Sequence, residues 1–522
     1  MRTRSNFLLL STLFGGLLFT CLFWMERLAI NLLIYSVFII AISFFNSEII
    51  KSKKFIIYAI ANLFAAVLVV INNSDLTLAT YYISLILFVG FAHYQTIRNI
   101  FSAGLASLLQ IMAVPASILR HLYQFKVGRF NLKPIFKLTK YILLPIIIVV
   151  IFASIYSSAN EVFAHYLISI SHSISLFISR IFSFIFQDLS IARFLHICLG
   201  ILISGGLIIT FYNRSIEKLE SNCTEDLIRN RRDKDRKSLW FEIANTFTST
   251  IVSKNMALKT EYVIGVISFI ALNILLLMVN FIDISTLWFG YKPSGNFSAD
   301  LHNGTNSLIF SILLAMAVIL YFFRKNLNFY SKSKTLRFLA YAWIIQNLIL
   351  IISVFIRDGY YIEFYGLTHK RIGVSVFALL CIIGLATVYF KVGKQKTLFY
   401  LFKVNGNIWF ALLLIFSTIN WDVFIAKYNL AHRDKISLDV DYLLSLSDKT
   451  LVVLDENRQI LHFTEGTDLA DRTYAMPENL SYYQNQLDQR IGFFKERYKE
   501  VSWLSWNLQD WRVATHFGFN KR

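Results

Sequence analysis

Charge is scarce in this sequence. Of its 522 residues 16% are Asp, Glu, Lys or Arg, against 56% hydrophobic and 16% aromatic, where a soluble domain carries about a quarter charged. Cysteine is scarcer: Cys21, Cys198, Cys223 and Cys381 are the four present, three of them in apolar segments, and none follows Cys381. Without a CxxC pair or ligand-spaced group, a disulfide scaffold and a structural zinc site are both excluded. GxxxxGK[ST], HExxH, GxSxG and a GxGxxG following a strand are also missing, which argues against an ATPase, a zinc protease or a dehydrogenase. Neither a cofactor nor a metal is expected.

What the chain has instead is oil. Mean hydropathy is +0.55, and the apolar residues arrive in blocks matching the roughly 20 helical residues that cross a bilayer core of about 30 Å. Eleven spans are expected, at 7–25, 28–45, 55–71, 77–93, 139–158, 190–211, 262–283, 305–323, 338–356, 372–390 and 402–421. The fold class is therefore all-α, a polytopic transmembrane helix bundle. The run after Arg2 and Arg4 resembles a signal peptide, but it is long, lacks a small-residue cleavage site and leads into a second span, so an uncleaved first helix is expected.

Net charge is +19, yet residues 432–522 hold 12 basic and 14 acidic side chains, so the excess belongs to the membrane part. There it sets orientation and does not point to nucleic acid. With the N-terminus inside, the inner connections hold 31 Lys and Arg and the outer ones 6. This alternation predicts an N-in, C-out topology.

Residues 100–119 are apolar enough to span but are interrupted by Gln110 and Pro115, and a crossing would put the basic run 120–140 outside. An interfacial or re-entrant helix on the inner side is expected, and an amphipathic surface helix over 161–187. The domain organisation follows: 1–211 an N-terminal membrane bundle of six spans, 212–260 a basic cytoplasmic loop, 261–430 a C-terminal bundle of five, and 431–522 an extracytoplasmic tail. The loop's RNRRDKDRK (229–237) reads as solvated, with attraction to anionic lipid as its simplest role. The tail reads as a small helical cap, with Leu480, Tyr483, Leu487, Ile491 and Phe494 on one helix face, leaning on the membrane through Trp503, Trp506 and Trp511.

Candidate functional residues gather in the outer connections of the last five spans. NFIDISTLWFGYKPSGNFSADLHNGTNS (280–307), RDGYYIEFYGLTHKR (357–371) and NWDVFIAKYNLAHR (420–433) supply Asp283, His302, Asn306, Arg357, Glu363, His369, Arg371 and Asp422, with Asp300 nearby. Interfacial Trp and Tyr anchor and Arg near helix ends snorkels. A group with both charge signs and two histidines could instead bind a phosphate-bearing lipid or relay protons, or it could be ion pairs joining helices. Within the spans, Asn273, Asn280, Gln346 and Asn347 read as interhelix glue.

The stretches FIDISTLWFGY, LHNGTNSLIFSILLAMAVILYFFR, LAYAWIIQNLILIISVFIRDGYYIEFYGLTHKRIGV, INWDVFIAKYNL and DVDYLLSLSD, over roughly 260–455, resemble a family of bacterial multi-pass membrane proteins. That family is catalogued as domain of unknown function four-one-seven-three, a relative of four-one-five-three. The resemblance implies a bacterial inner membrane, multiple spans and no catalytic residues to carry over. The expected function is a non-enzymatic binding, scaffold or sensor protein of the cell envelope. Membrane lipids, and another envelope protein reached through the tail or the 212–260 loop, are its expected partners. A transporter or channel is the alternative, and an intramembrane transferase with His302 or His369 as base the second.

Overall fold

The computed structural model describes residues 2–47, 49–94, 96–124, 126–127, 130–131, 145–146, 148–158, 160–185, 190–210, 214–228, 258–289, 297–324, 326–436, 438–461 and 480–519. The charged run 229–237, most of 120–140 and residues 290–296 lie outside them. The fold is all-α; among the described residues the one sheet is a two-residue antiparallel pair, Lys126–Val127 with Phe130–Asn131. Among the described residues nine helices are long and apolar enough to cross a membrane. Eight of them coincide with expected spans, and the ninth is Ile100–Ile118. The other three expected spans coincide with the shorter apolar helices Ile30–Phe45, Ile148–Ser158 and Ser307–Phe322.

The chain divides into two compact units. Unit 1 comprises Met1–Ile97, Ser102–Lys218 and Glu500–Gln509. Its helices are α1 (Arg2–Phe23), α2 (Ile30–Phe45), α3 (Lys53–Asn72), α4 (Asp75–His93), α5 (Ile100–Gln124), α6 (Ile148–Ser158), α7 (Glu161–Ile185), α8 (Ile191–Ile208) and α9 (Arg214–Ser221). Serines start several of them: Ser52, Ser74 and Ser190 each accept a backbone N–H of the first turn, and Ser74 forms a capping box with Thr77. Hydrophobic attraction between helices vanishes in lipid, so close backbone approach must replace it. α1 and α8 achieve this at Gly16, where a Cβ would lie 2.3 Å from Ile201 Cγ1 and 2.8 Å from its backbone nitrogen.

Among the described residues the hydrogen bonds of α5 to its neighbours lie toward one end of each. Ser107 Oγ donates to the Ile86 carbonyl at 2.6 Å, seven residues before the end of α4, and Gln110 Nε2 donates to the Gly206 carbonyl at 2.8 Å. Val114 and Ile118 then pack with Ile209, again at the C-terminal end of α8. A helix that crossed beside α8 would meet its far half by Ile118, so these contacts support an interfacial or re-entrant α5. The described side chains of α7 are almost all exposed.

Unit 2 comprises Arg98–Phe101, Leu219–Lys499 and Asp510–Arg522. Its helices are α10 (Leu258–Asp283), which runs on into a π-helical turn Ile284–Trp288, then α11 (Phe297–Phe322), α12 (Ser333–Tyr365), α13 (His369–Gly393), α14 (Leu398–Phe416), α15 (Trp421–Ala431), α16 (Val440–Ser445), α17 (Leu451–Glu456), α18 (Leu480–Lys499) and α19 (Leu508–His516). It holds two apolar cores. One, with Phe269, Ile319, Phe323, Leu336, Leu350 and Leu385, joins α10 to α13; the other, with Leu367, Ile425, Leu443, Leu454, Leu487, Phe494 and Val513, builds the tail around the α12–α13 turn. The outward side chains of α10 are apolar and exposed, Phe281 at 72% and Leu277 at 60%, as lipid contact requires.

Among the described residues, connections within each unit meet partners of their own parity. In unit 1 Asn73 Nδ2 donates to Leu28 O, Ser502 and Ser505 donate to Glu26 Oε2, Lys54 Nζ donates to Ile97 O and His93 pairs with Thr210. In unit 2 Arg98 reaches Glu220 and Cys223, Lys403 pairs with Glu225, and Lys396 with Asp226. These contacts agree with the alternation read from Lys and Arg.

Candidate site at the outer end of unit 2

At 33 residues, α12 is about 50 Å long, well over the roughly 30 Å of a bilayer core. Its apolar stretch ends at Phe355–Ile356, and Arg357 begins the two turns that emerge. Successive residues there face different neighbours. Arg357 Nη2 donates to Asp283 Oδ1 on α10 at 2.5 Å, whereas Asp358 Oδ2 accepts Ser375 Oγ of α13 at 2.6 Å. The Asp283–Arg357 pair crowns a polar ladder between the parallel helices α10 and α12. Asn273 Nδ2 donates to Leu339 O (3.1 Å), Gln346 Nε2 to Asn273 Oδ1 (2.9 Å) and Asn280 Nδ2 to Gln346 O (3.0 Å). Asn347 bonds its own helix at Trp343 O. Above the ladder, the π turn brings Trp288 Nε1 to Ser353 Oγ (3.0 Å) and Leu287 O to the Tyr360 hydroxyl (3.3 Å).

A second constellation joins the α12–α13 turn to the tail. His369, the first residue of α13, places Nε2 2.9 Å from Asp422 Oδ1 and Nδ1 3.0 Å from the Tyr442 hydroxyl. Ser447 bonds the other carboxylate oxygen of Asp422 through its hydroxyl and, at 3.3 Å, its N–H. The Tyr442 oxygen also accepts the His369 backbone N–H at 3.1 Å. Burial raises the Tyr442 pKa, so the hydroxyl keeps its proton and donates it to Nδ1; the hydrogen-bond network thereby assigns the Nε2–H tautomer, which donates to Asp422. Burial pushes the Asp422 carboxyl up, but the bonds from His369 and Ser447 outweigh it and hold the pKa below the ordinary carboxylate range.

Backbone geometry fixes the turn that carries His369. Gly366 has φ +76°, a left-handed conformation that side chains resist, and a Cβ there would lie 2.7 Å from Asn429 Oδ1. That Asn429 amide accepts the Leu367 N–H at 2.6 Å and donates to the Leu367 carbonyl at 2.9 Å. Thr368 caps α13. Arg371 is spent on the same turn: it donates to the carbonyls of Tyr365 and Gly366 and stacks on Tyr361, 4.2 Å from the ring centroid.

The outer cluster expected from sequence is thus two assemblies, Asp283 with Arg357 and His369 with Asp422, and both arginines are already occupied. Glu363 is exposed. His302 and Asn306 lie in the first turns of α11, with side chains outside the described residues. Sequence reasoning missed Tyr442, Ser447, Asn429 and Asp358. A signal existed in DVDYLLSLSD, where Asp439 caps α16, Tyr442 and Ser447 reach His369 and Asp422, and Asp448 pairs with Arg490 and Arg497. Among the described residues no group of three or more His, Cys, Asp or Glu could hold a metal ion.

The tail's acid response follows from its carboxylates. In Asp455, as in Asp422, burial raises the pKa, but bonds from His516 and Arg458 outweigh it. Groups with depressed pKa values contribute stability that is complete above the unfolded value of about 3.9 and is lost as pH falls through the folded one. The protection of the amides of residues 440–456, taken as exchange relative to the intrinsic rate at each pH, is expected to stay constant down to about pH 5 and to fall steeply below about pH 4. Equal loosening between pH 7 and 5 would contradict it.

Helices of this length and apolarity make the chain a multi-pass membrane protein. It belongs to the family described as a domain of unknown function, DUF4153, whose model matches residues 34–457. This is the second of the two related families that the sequence resembles, and the match reaches back from 260–455 through most of the N-terminal helices. No curated protein and no solved structure matches the chain.

Proposed function

We propose that the chain is a non-enzymatic scaffold or sensor of the bacterial inner membrane, with an extracytoplasmic tail that binds an envelope ligand or partner protein. The observation that carries this reading is the attachment of α15 and the tail: their shared core is completed by Leu367, and their polar anchors, Asn429 and Asp422 of α15 and Tyr442 of the tail, all end on the Gly366–His369 turn. That turn joins α12 and α13, so whatever shifts the tail shifts the outer ends of two spans. The stretches that carry the family resemblance include this turn and the segments that grip it. Ladder side chains bonded between α10 and α12, and arginines already occupied, suit a stiff bundle more than a permeation path.

A second reading is favoured by one geometry. Tyr442, His369 and Asp422 are ordered as hydroxyl, imidazole and carboxylate, the arrangement by which a base is oriented toward a reacting hydroxyl. A lipid-linked donor would be its substrate. His369→Gln separates the two readings in the purified full-length protein. The scaffold reading expects faster amide exchange over 440–447, because glutamine cannot bridge both partners, and no turnover of a lipid-linked donor in either protein. Wild-type turnover that vanishes in the variant, with tail protection unchanged, would replace it by the transferase.

A further inference from the structure

The opposite end of unit 2 carries an unbalanced charge. Segments 324–337 and 391–403 contain five and four basic residues and no acidic one. Of the acidic side chains at this end, Glu261 lies in the first turn of α10 and Glu220 accepts the Arg98 backbone N–H at 2.8 Å, while Glu225 is consumed by Lys403 at 2.6 Å and Asp226 by Lys396 at 2.5 Å. Arg337 and Lys391 turn inward onto the α11–α12 connection. The Lys391 ammonium, in a residue 1% exposed, donates to the Phe323 carbonyl; Arg337 Nη2 donates to the Asn328 carbonyl at 2.7 Å. Gln395 Nε2 reaches the same Asn328 oxygen at 3.0 Å.

Capping accounts for part of this. Phe323 follows the last residue of α11, and a cation there suits the helix dipole. Capping needs neutral donors as much as charged ones, however, and Asn328 Nδ2 already donates to Phe323 O at 2.8 Å. Among the described residues the buried Lys391 ammonium and the half-buried Arg337 guanidinium meet carbonyls and no carboxylate, and an uncompensated charge is costly in a low dielectric. Arg337 Nε is buried without a hydrogen-bond partner. One of the three Lys391 ammonium protons is spent on Phe323. Around them stand Arg324, stacked on Tyr321 at 3.9 Å, and the exposed Lys394. An anion with several acceptor oxygens would compensate such a group of cations.

We infer that the connection between α11 and α12, with the end of α13, is a binding site for a phosphate group, either the headgroup of an anionic phospholipid or a free phosphate ion, with Arg337 and Lys391 as its principal donors. It lies at the end of the bundle that the Lys and Arg count puts inside, where anionic headgroups are met.

Full-length protein is reconstituted in nanodiscs of phosphatidylglycerol or of phosphatidylcholine, and lipid retained after detergent exchange is counted by native mass spectrometry; inorganic phosphate is added in a separate arm. Phosphatidylglycerol is expected to be retained over phosphatidylcholine. At about 1 kcal/mol per basic residue, Arg337→Gln lowers its apparent affinity roughly five-fold and the Arg337→Gln, Lys391→Gln pair roughly thirty-fold. Lys370→Gln, at the other end of α13, leaves it unchanged. Displacement of the lipid by millimolar inorganic phosphate identifies the free ion as a competent ligand, and retention despite phosphate identifies the headgroup. If the double variant does not fold, Arg337→Gln alone and Lys391→Arg, which keeps the charge and is expected to bind, carry the test. Equal retention of both lipids, or undiminished retention in Arg337→Gln, overturns the site.

Discussion

Asp283→Ala is expected to destabilise unit 2 by about 3 kcal/mol, and Arg357→Met introduced on top of it to recover most of that loss. Removing one partner of a buried ion pair costs roughly 3–5 kcal/mol because the remaining charge is left in a medium that cannot solvate it. The Asp283 side chain is 8% exposed and that of Arg357 20%, so some solvent reaches the arginine and the lower end of that range applies. A single bond of 2.5 Å joins them, and Asp283 Oδ2 and Arg357 Nε have no hydrogen-bond partner of their own. Replacing both by apolar groups returns the interface of α10 and α12 to ordinary packing, with Asn273, Asn280 and Gln346 still bridging it. Thermal unfolding in detergent of the two single variants and the double variant decides the matter. If the two single losses simply add in the double variant, the pair does not act as a unit.

The contrast between this pair and the rest of the expected cluster shows what a sequence of this kind makes visible. Asn273 and Asn280 are seven residues apart on an apolar helix, so a shared polar face leading to Asp283 can be read directly. That face is where the ladder forms. Spans are legible for the same reason: lipid demands apolar length, and basic loops sort by side. What could not be read is which polar residues meet across 53 to 74 positions of chain, as His369 with Asp422 or Asp283 with Arg357, because no local period encodes that pairing.

The tail was harder still. Its segments look short and mixed, and the expectation of a cap leaning on the membrane through tryptophans follows from counting large aliphatics in the tail alone. Trp503 is 69% exposed and Trp511 42%, with Trp506 half-buried. The tail's core, however, is filled by Leu367 of the α12–α13 turn together with Ile425, Leu430, Leu443 and Phe494, an assembly no single segment announces. Ser502 and Ser505 likewise find their partner in Glu26, at the far end of the sequence.

Because the tail is held by backbone as well as by side chains, its anchors differ greatly in strength, and Asn429 is expected to outweigh His369. The His369 side chain is 51% exposed, so its bonds to Asp422 and Tyr442 compete with water and contribute about 1 kcal/mol or less. Asn429 is 5% exposed and satisfies both the N–H and the carbonyl of Leu367. Asn429→Ala removes both bonds and leaves two buried backbone groups unpaired, at about 1–3 kcal/mol each. Asn429→Asp keeps the acceptor for the N–H but sets a carboxylate against the Leu367 carbonyl, so it is expected to do no better. Either change should release the tail as a unit, converting it to a substrate for limited proteolysis, while His369→Gln only raises local exchange. Both cleavage sensitivity and the melting of the α12–α13 turn would then appear together, since the Gly366–Leu367 backbone is shared by tail and spans. A tail that resists protease as well in Asn429→Ala as in the wild type would mean that the apolar core around Leu367 holds it alone, and coupling from tail to spans through that backbone would have to be abandoned.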